Sequence, residues 1–262
     1  MSVRFAPRAA VEPLKPLIGV LCCNETAERP IQAVASRFVE PLAQVSNATV
    51  LLVPALPDAA DIAQLAERLD GLLLTGARSN VAGARYGGPP CGRDRLDERR
   101  DEVALALSAR MIERGRPVFG ICRGLQELNV LFGGTLTCAP DSHRAAGDDA
   151  YENLFNHEHD VMLAPRGMLE SALDATRLRV NSVHEQCVDR LGGDLVAEAL
   201  AADDGLVEAF SARPCGAPVV AVQWHPEWNY RQRPEGGAFF RLIGETLYAR
   251  RSAPFPALSI PD

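Results

Sequence analysis

Residues 117–136, PVFGICRGLQELNVLFGGTL, constrain this chain more than any other stretch. They open with a short apolar run, Pro117-Val118-Phe119-Gly120-Ile121, bounded by Gly115 and Arg116, and such a run predicts a buried strand. From Cys122 the pattern changes: Leu125, Leu128, Val130, Leu131 and Phe132 fall near helical spacing until Gly133-Gly134 stop them. The junction, Gly120-Ile121-Cys122-Arg123-Gly124, is a G-x-C-x-G with cysteine at the turn. A tight strand-to-helix turn crowds any Cβ near its apex, hence the flanking glycines; the same logic underlies the nucleophile elbow of G-x-S-x-G sequences. The helix N-terminus favours a thiolate over a thiol. It also leaves the N–H of Arg123 without an intrahelical acceptor, free to face a developing oxyanion. The motif alone suits a buried structural cysteine equally well.

Around this junction the pattern is strand alternating with helix. Residues 17–21, 49–53 and 71–74 are apolar runs read as strands. Residues 31–45, 59–69 and 96–113 read as helices, the first bent or interrupted at Pro41. A loop rich in Gly and Pro spans 77–93. Further on, 137–157 reads as a surface loop and 180–184 as a short strand and turn. Residues 195–210 read as a hairpin with Asp203-Asp204-Gly205 at its tip. Residues 218–224 form the last strand and 236–250 the last helix. Strands separated by helices predict an α/β fold, a mostly parallel sheet covered on both faces. With no repeat, linker or composition shift, the reading is one domain over 15–252. A loose, proline-interrupted leader covers 1–14 and a tail 253–262.

Composition narrows the function classes. A 262-residue chain that is 47% hydrophobic and 23% charged is ordinary for a soluble globular protein. Its net charge of −7 disfavours nucleic acid or an anionic membrane as partner. No apolar run approaches the roughly 20 residues of a membrane span. The seven cysteines (Cys22, Cys23, Cys91, Cys122, Cys138, Cys187 and Cys215) are odd in number and irregular in spacing. They form neither a disulfide framework nor a C-x-x-C zinc pattern, which implies the reducing cytoplasm. His157-Glu158-His159-Asp160 looks like a metal motif. Adjacent residues of an extended segment point to opposite faces, however, and no third ligand stands nearby, so the sequence predicts no metal.

The cysteine finds candidate partners near the C-terminus. The last strand runs into His225-Pro226-Glu227. A nucleophilic cysteine is commonly paired with a histidine base that a third group orients. His225 and Glu227 are two apart in an extended segment and leave on one face. Topologically they belong at the carboxyl edge of the sheet, where open α/β folds hold ligands.

Taken together, FGICRGLQELNVLFGGTL and VQWHPEWN resemble the class I glutamine amidotransferase superfamily. More narrowly they resemble the γ-glutamyl-γ-aminobutyrate hydrolases, peptidase C26-type cysteine hydrolases. LLLTGARSNV at 72–81, RYGGPP at 85–90 and VNSVHEQ at 180–186 follow in that family's order, so the resemblance spans roughly 15–250. It implies a flavodoxin-like fold and an acyl-enzyme mechanism without a cofactor. By matching position, Cys122 corresponds to the nucleophile, His225 to the base and Glu227 to its orienter. Gly76 and Arg123 correspond to the oxyanion donors. Gln126 lies along the glutamyl group, and Asn181, Ser182 and His184 close the pocket. The implied partner is a small γ-glutamyl substrate; monomer and homodimer stay open. Ala77-Arg78 and Glu185-Gln186-Cys187 depart from the family pattern, which places leaving-group contacts at 77–93 and 182–187, with Arg78 and Arg85 as candidate partners of a leaving-group carboxylate. Three other readings compete: a glutaminase subunit feeding ammonia to a synthetase, an α/β-hydrolase with a cysteine elbow, and a catalytically silent binding protein on the same fold. The closeness of glutamate to histidine in HPE argues against the second.

Overall fold

The computed structural model describes residues 14–88, 95–143 and 151–252. The chain enters through β1 (Leu17–Leu21), a hairpin of β2 (Cys23–Thr26) and β3 (Pro30–Ala33), then α1 (Ser36–Gln44) and β4 (Thr49–Val53). It continues through α2 (Ile62–Arg68), β5 (Gly71–Leu74), α3 (Glu98–Glu113), β6 (Val118–Ile121) and α4 (Arg123–Leu131). Next come β7 (Thr135–Cys138), α5 (Tyr151–Leu154), β8 (Glu158–Leu163), α6 (Met168–Leu173), β9 (Arg177–Asn181) and β10 (Gln186–Arg190). The hairpin of β11 (Val196–Ala201) and β12 (Val207–Ala212), then β13 (Val219–Val222) and α7 (Pro234–Ser252), complete it.

Nine strands form the main sheet in the order β4-β1-β5-β6-β13-β12-β11-β8-β9. From β4 to β13 every neighbour is parallel; from β13 to β9 every neighbour is antiparallel. The parallel block is the α/β core that the apolar runs predict, with the flavodoxin-like character that the family resemblance implies. Its strands β5, β6 and β13 are buried throughout, as strands covered on both faces must be. On one face Phe38, Leu42, Phe239, Phe240, Ile243 and Leu247 of α1 and α7 pack on Ile18, Val20, Phe119 and Val220. On the other, Ala66 of α2, Val103, Leu107 and Met111 of α3 and Leu125 and Leu128 of α4 pack on Leu72, Leu74, Val118 and Val219. β6 is thus clamped between two cores, and what emerges from its C-terminal end is held rigidly.

The strand boundaries at 17–21, 49–53 and 71–74 agree with the sequence reading. The segment read as one helix over 31–45 is instead a strand followed by α1, which carries Pro41 in its interior. The expected surface loop over 137–157 holds a fully buried side chain, His143. Of the cysteines, Cys22, Cys23, Cys122, Cys187 and Cys215 are free, whereas Cys138 is disulfide-bonded, so a wholly reduced set does not hold there. The leader before Leu14, the tail from 253 on, and residues 89–93 of the 77–93 loop lie outside the described residues, as does Cys91. Among the described residues no helix is long and apolar enough to cross a membrane.

Candidate active site

At the turn from β6 into α4 both glycines are dictated by contact. A Cβ on Gly120 would lie 2.7 Å from the carbonyl carbon of Gly124, and one on Gly124 would lie 2.2 Å from the carbonyl oxygen of Leu74. Between them Cys122 adopts φ 52° and ψ −103°, a conformation that costs a residue bearing a Cβ roughly 1–3 kcal/mol. Backbone bonds on both sides hold it there. Its N–H donates to the Val222 carbonyl at 2.8 Å, and its carbonyl accepts from the N–H groups of Leu125 and Gln126 at 3.0 and 3.3 Å. Those bonds begin the helix one residue later, so the Arg123 N–H is an orphan of the first turn.

β13 lies beside β6 and delivers His225 to the same sheet edge. His225 Nδ1 stands 2.7 Å from Glu227 Oε1, leaving Nε2 as the ring atom for the cysteine. Burial opposes a charge on this imidazole, but the Glu227 carboxylate and the Cys122 thiolate outweigh it and push its pKa up to about 10. The imidazolium is the form of His225 that this arrangement favours. Asn181 clamps the histidine from behind: its Oδ1 accepts from the His225 N–H at 2.7 Å and its Nδ2 donates to the His225 carbonyl at 3.0 Å. Phe155 meets the imidazole edge-on at 5.0 Å and stacks on Trp228 at 4.0 Å, which shields the ring from water.

Gly76, just beyond β5, closes the third side. A Cβ there would be 2.7 Å from His225 Cε1 and 3.4 Å from Cys122 Cβ. Only glycine lets this backbone approach both groups at once. Cys122, Gly76 and His225 open onto a cavity of about 690 Å³, well within the roughly 300–1,000 Å³ of small-molecule sites. Its wall carries Arg37, Arg78 and Arg95 together with Glu25 and Glu185. Gln126 and His184 also line it, whereas Asn181 and Ser182 do not. The reason is physical: Asn181 is spent on the His225 peptide, and Ser182 Oγ donates to the His143 carbonyl at 2.8 Å. Arg85 likewise lies off the wall, its guanidinium donating to the Glu98 carbonyl.

The model of the family described as Peptidase C26 matches residues 16–227. The chain belongs to that family. Among its C26 relatives, the "gamma-glutamyl-gamma-aminobutyrate hydrolase" of Escherichia coli O157:H7 is 34% identical over 223 residues, covering 82% of this chain and 86% of the relative. A "putative glutamine amidotransferase" of Schizosaccharomyces pombe is 30% identical, covering 79% of each. Two solved structures share the C26 chain's fold at low identity. One is a putative GMP synthase protein of Thermoplasma acidophilum, with TM-score 0.64 at 20% identity, covering 92% of this chain and 98% of that one. The other is a glutamine amidotransferase of Thermotoga maritima, with TM-score 0.60 at 12% identity, covering 89% of this chain and 98% of that one.

What sequence reasoning misses in this C26 chain is how the Gly76 loop is held. Two arginines are buried beneath it. Arg100 Nη2 donates to the Thr75 carbonyl, and Arg123 donates to the carbonyls of Ser79 (2.9 Å) and Asn80 (3.2 Å). Glu127 takes Arg100 in a bidentate grip at 3.0 and 3.1 Å and also pairs with Arg123; Asp101 pairs with Arg123 at 2.6 Å. Asp101 further accepts the Ala82 N–H at 3.1 Å. The Arg123 side chain therefore works below the loop. The signal was present as Arg100-Asp101 and as the four-residue spacing of Arg123 and Glu127, but nothing local reveals that these turns meet. Cys23 lines the cavity and accepts from Arg100 Nη1 at 2.9 Å.

Proposed function

We propose that this protein is a cysteine hydrolase that cleaves the γ-glutamyl amide bond of small γ-glutamyl amines or amino acids, releasing glutamate. The observation that carries the reading is the convergence of Cys122, His225–Glu227 and the Gly76 backbone on one cavity. Membership of the C26 family and the 34%-identical hydrolase support the chemistry. The Cys122 thiolate attacks the γ-carbonyl, and the oxyanion that forms is met by the N–H groups of Gly76 and Arg123. One such donor is commonly worth about 3 kcal/mol of barrier. The His225 imidazolium, held by Glu227, gives its proton to the departing amine as the C–N bond breaks. The neutral ring then takes a proton from water, which attacks the thioester, and glutamate leaves while the thiolate is restored. Gln126 and His184 are the proposed wall contacts of the substrate, and Arg37, Arg78 and Arg95 supply positive charge for carboxylates. That charge favours a leaving group bearing a carboxylate, as in γ-glutamyl-γ-aminobutyrate.

The test follows glutamate release by the purified protein from γ-glutamyl-γ-aminobutyrate, γ-glutamyl-putrescine, γ-glutamyl-spermidine and glutamine. The first should give the highest kcat/KM without any added partner. If glutamine were the best substrate, and only in the presence of a second protein, the chain would be a glutaminase subunit. If none were cleaved and Cys122 resisted iodoacetamide at neutral pH, it would be a silent binding protein.

A further inference from the structure

Behind the cavity wall lies a cluster of which the catalytic reading uses only His184, where it meets the wall. Glu208 on β12 is completely enclosed, and three imidazoles converge on it from segments remote in sequence. His143 Nδ1 stands 3.3 Å from its Oε1, His184 Nε2 3.6 Å from the same oxygen, and His159 Nε2 3.6 Å from its Oε2. The side chains of His143, His184 and Glu208 are at most 2% exposed and that of His159 is 8% exposed. Yet His143 Nδ1, His159 Nε2, His184 Nε2 and both Glu208 oxygens find no aligned hydrogen bond among the described residues. So many buried polar atoms without an aligned hydrogen bond, all facing one point, need an explanation.

The outer nitrogens supply it. His143 Nε2 lies 2.8 Å from Asp204 Oδ2, and His184 Nδ1 lies 3.0 Å from the Gln186 carbonyl. A carboxylate and a carbonyl only accept, so the proton of each neutral ring sits on the outer nitrogen and the inner one presents a lone pair. A cation held between these inner nitrogens and the Glu208 carboxylate would make every one of these contacts attractive. Histidines oriented from outside by a carboxylate or a backbone carbonyl are the usual surroundings of a bound metal. The spacing is near that of a metal shell for three of the four groups. With metal–ligand bonds of about 2.0–2.1 Å, neighbouring ligand atoms in a tetrahedron lie about 3.3 Å apart. The ligand atoms of His143, His159 and Glu208 all lie within 4.8 Å of one another.

We propose that His143, His159, His184 and Glu208 bind one divalent transition-metal ion. Three imidazoles with one carboxylate suit zinc best and magnesium or calcium poorly. His143, His159 and Glu208 are mutually close, and His184, 3.6 Å from the Glu208 carboxylate, completes the shell, which marks a structural ion rather than a reactive one. It ties together the turn before residue 144, β8, the connection from β9 to β10, and β12. Through His184 and the Ser182 bond to the His143 carbonyl, it braces the wall that carries Val183 and Glu185. The sequence predicts no metal at His157-Glu158-His159-Asp160 because further ligands are missing locally. The fold brings them from elsewhere, and His157 turns the other way, its Nε2 2.7 Å from the Ser142 carbonyl.

The experiment uses the full chain as Cys122→Ala, so that the cavity thiolate cannot capture metal. After dialysis against EDTA the protein is titrated with zinc chloride by calorimetry. Uptake of about one equivalent with submicromolar affinity and a raised Tm is expected, since an ion that binds only the folded state stabilises it. His159→Ala and Glu208→Gln should each weaken binding at least tenfold, and His157→Ala should not. Zinc-edge X-ray absorption on the Cys122→Ala protein, which needs no ligand variant to fold, should show a four-coordinate shell of nitrogen and oxygen. No zinc uptake, binding indifferent to both ligand variants, or sulfur in the shell would overturn the proposal.

Discussion

Gly76→Ala adds one methyl group and isolates the geometry on which the site depends. Gly76 does not have a positive φ, so alanine fits the backbone and any effect must come from the Cβ. That atom would sit 2.7 Å from His225 Cε1, against an ordinary contact distance of 3.4 Å or more. The imidazole must therefore retreat by about 0.7 Å, because close-packed surroundings leave no other slack. Glu227 holds Nδ1 at 2.7 Å, so the shift falls on the rest of the ring and disturbs its alignment with Cys122. Misplacement of a reacting group by about 1 Å costs on the order of 100-fold. Here we expect kcat/KM to fall roughly 10- to 100-fold, or about 1.4–2.7 kcal/mol of barrier, while folding stability drops by only about 1 kcal/mol. Two assays read this out: glutamate release from γ-glutamyl-γ-aminobutyrate, and the rate at which iodoacetamide alkylates Cys122 at pH 7, which needs no assumption about substrate. A Gly76→Ala protein within threefold of the parent in both would refute the placement of Gly76 against the histidine.

The remaining predictions follow from the same geometry. His225→Ala should lower kcat/KM by about 10³-fold or more, whereas Glu227→Gln, which keeps the imidazole, should cost about 10²-fold; the reverse order would exchange their roles. Glu127→Gln leaves Arg100 and Arg123 buried with less compensation and should cost about 3–5 kcal/mol in urea denaturation; a loss under about 1 kcal/mol would show that the buried pairs are not coupled. The folded-state pKa of His225 is raised to about 10 above an unfolded value of about 6.5. The stability it contributes is thus complete below about pH 6.5 and lost as pH rises through about 10. Denaturation midpoints of the parent should accordingly fall more steeply between about pH 7 and 10.5 than those of Glu227→Gln, and parallel curves would contradict the paired histidine.

The parallel half of the sheet was legible because each of its strands is a contiguous apolar run between turn residues, as in residues 49–53 and 71–74. Of the antiparallel half, the hairpin read over 195–210 was legible and is β11 with β12, whereas β8 was not. In β8, Glu158-His159-Asp160-Val161-Met162-Leu163, burial alternates along a largely polar start, which carries little strand signal until β9 and β11 are known to flank it. The site divides in the same way. Cys122, and His225 with Glu227, stand in two short local motifs, and the sequence could bring them together through the topology of β6 and β13. Arg100, Asp101 and Glu127 show their purpose only once α3 and α4 are packed under the Gly76 loop. The histidine cluster is more remote still, since His143 sits in a segment that reads as a surface loop. Asn181 and Ser182 were placed in the right neighbourhood, but backbone groups of His225 and His143 claim their side chains.

The proposed chemistry turns on Cys122 carrying the γ-glutamyl group during turnover. The direct measurement is mass spectrometry of the intact protein, acid-quenched within the first turnovers on γ-glutamyl-γ-aminobutyrate and then digested. A mass gain of one γ-glutamyl group is expected, mapped to the peptide containing Cys122 and absent from Cys122→Ala, which should release no glutamate. Glutamate release by Cys122→Ala near the parent rate, or an adduct mapped to Cys23 instead, would contradict it.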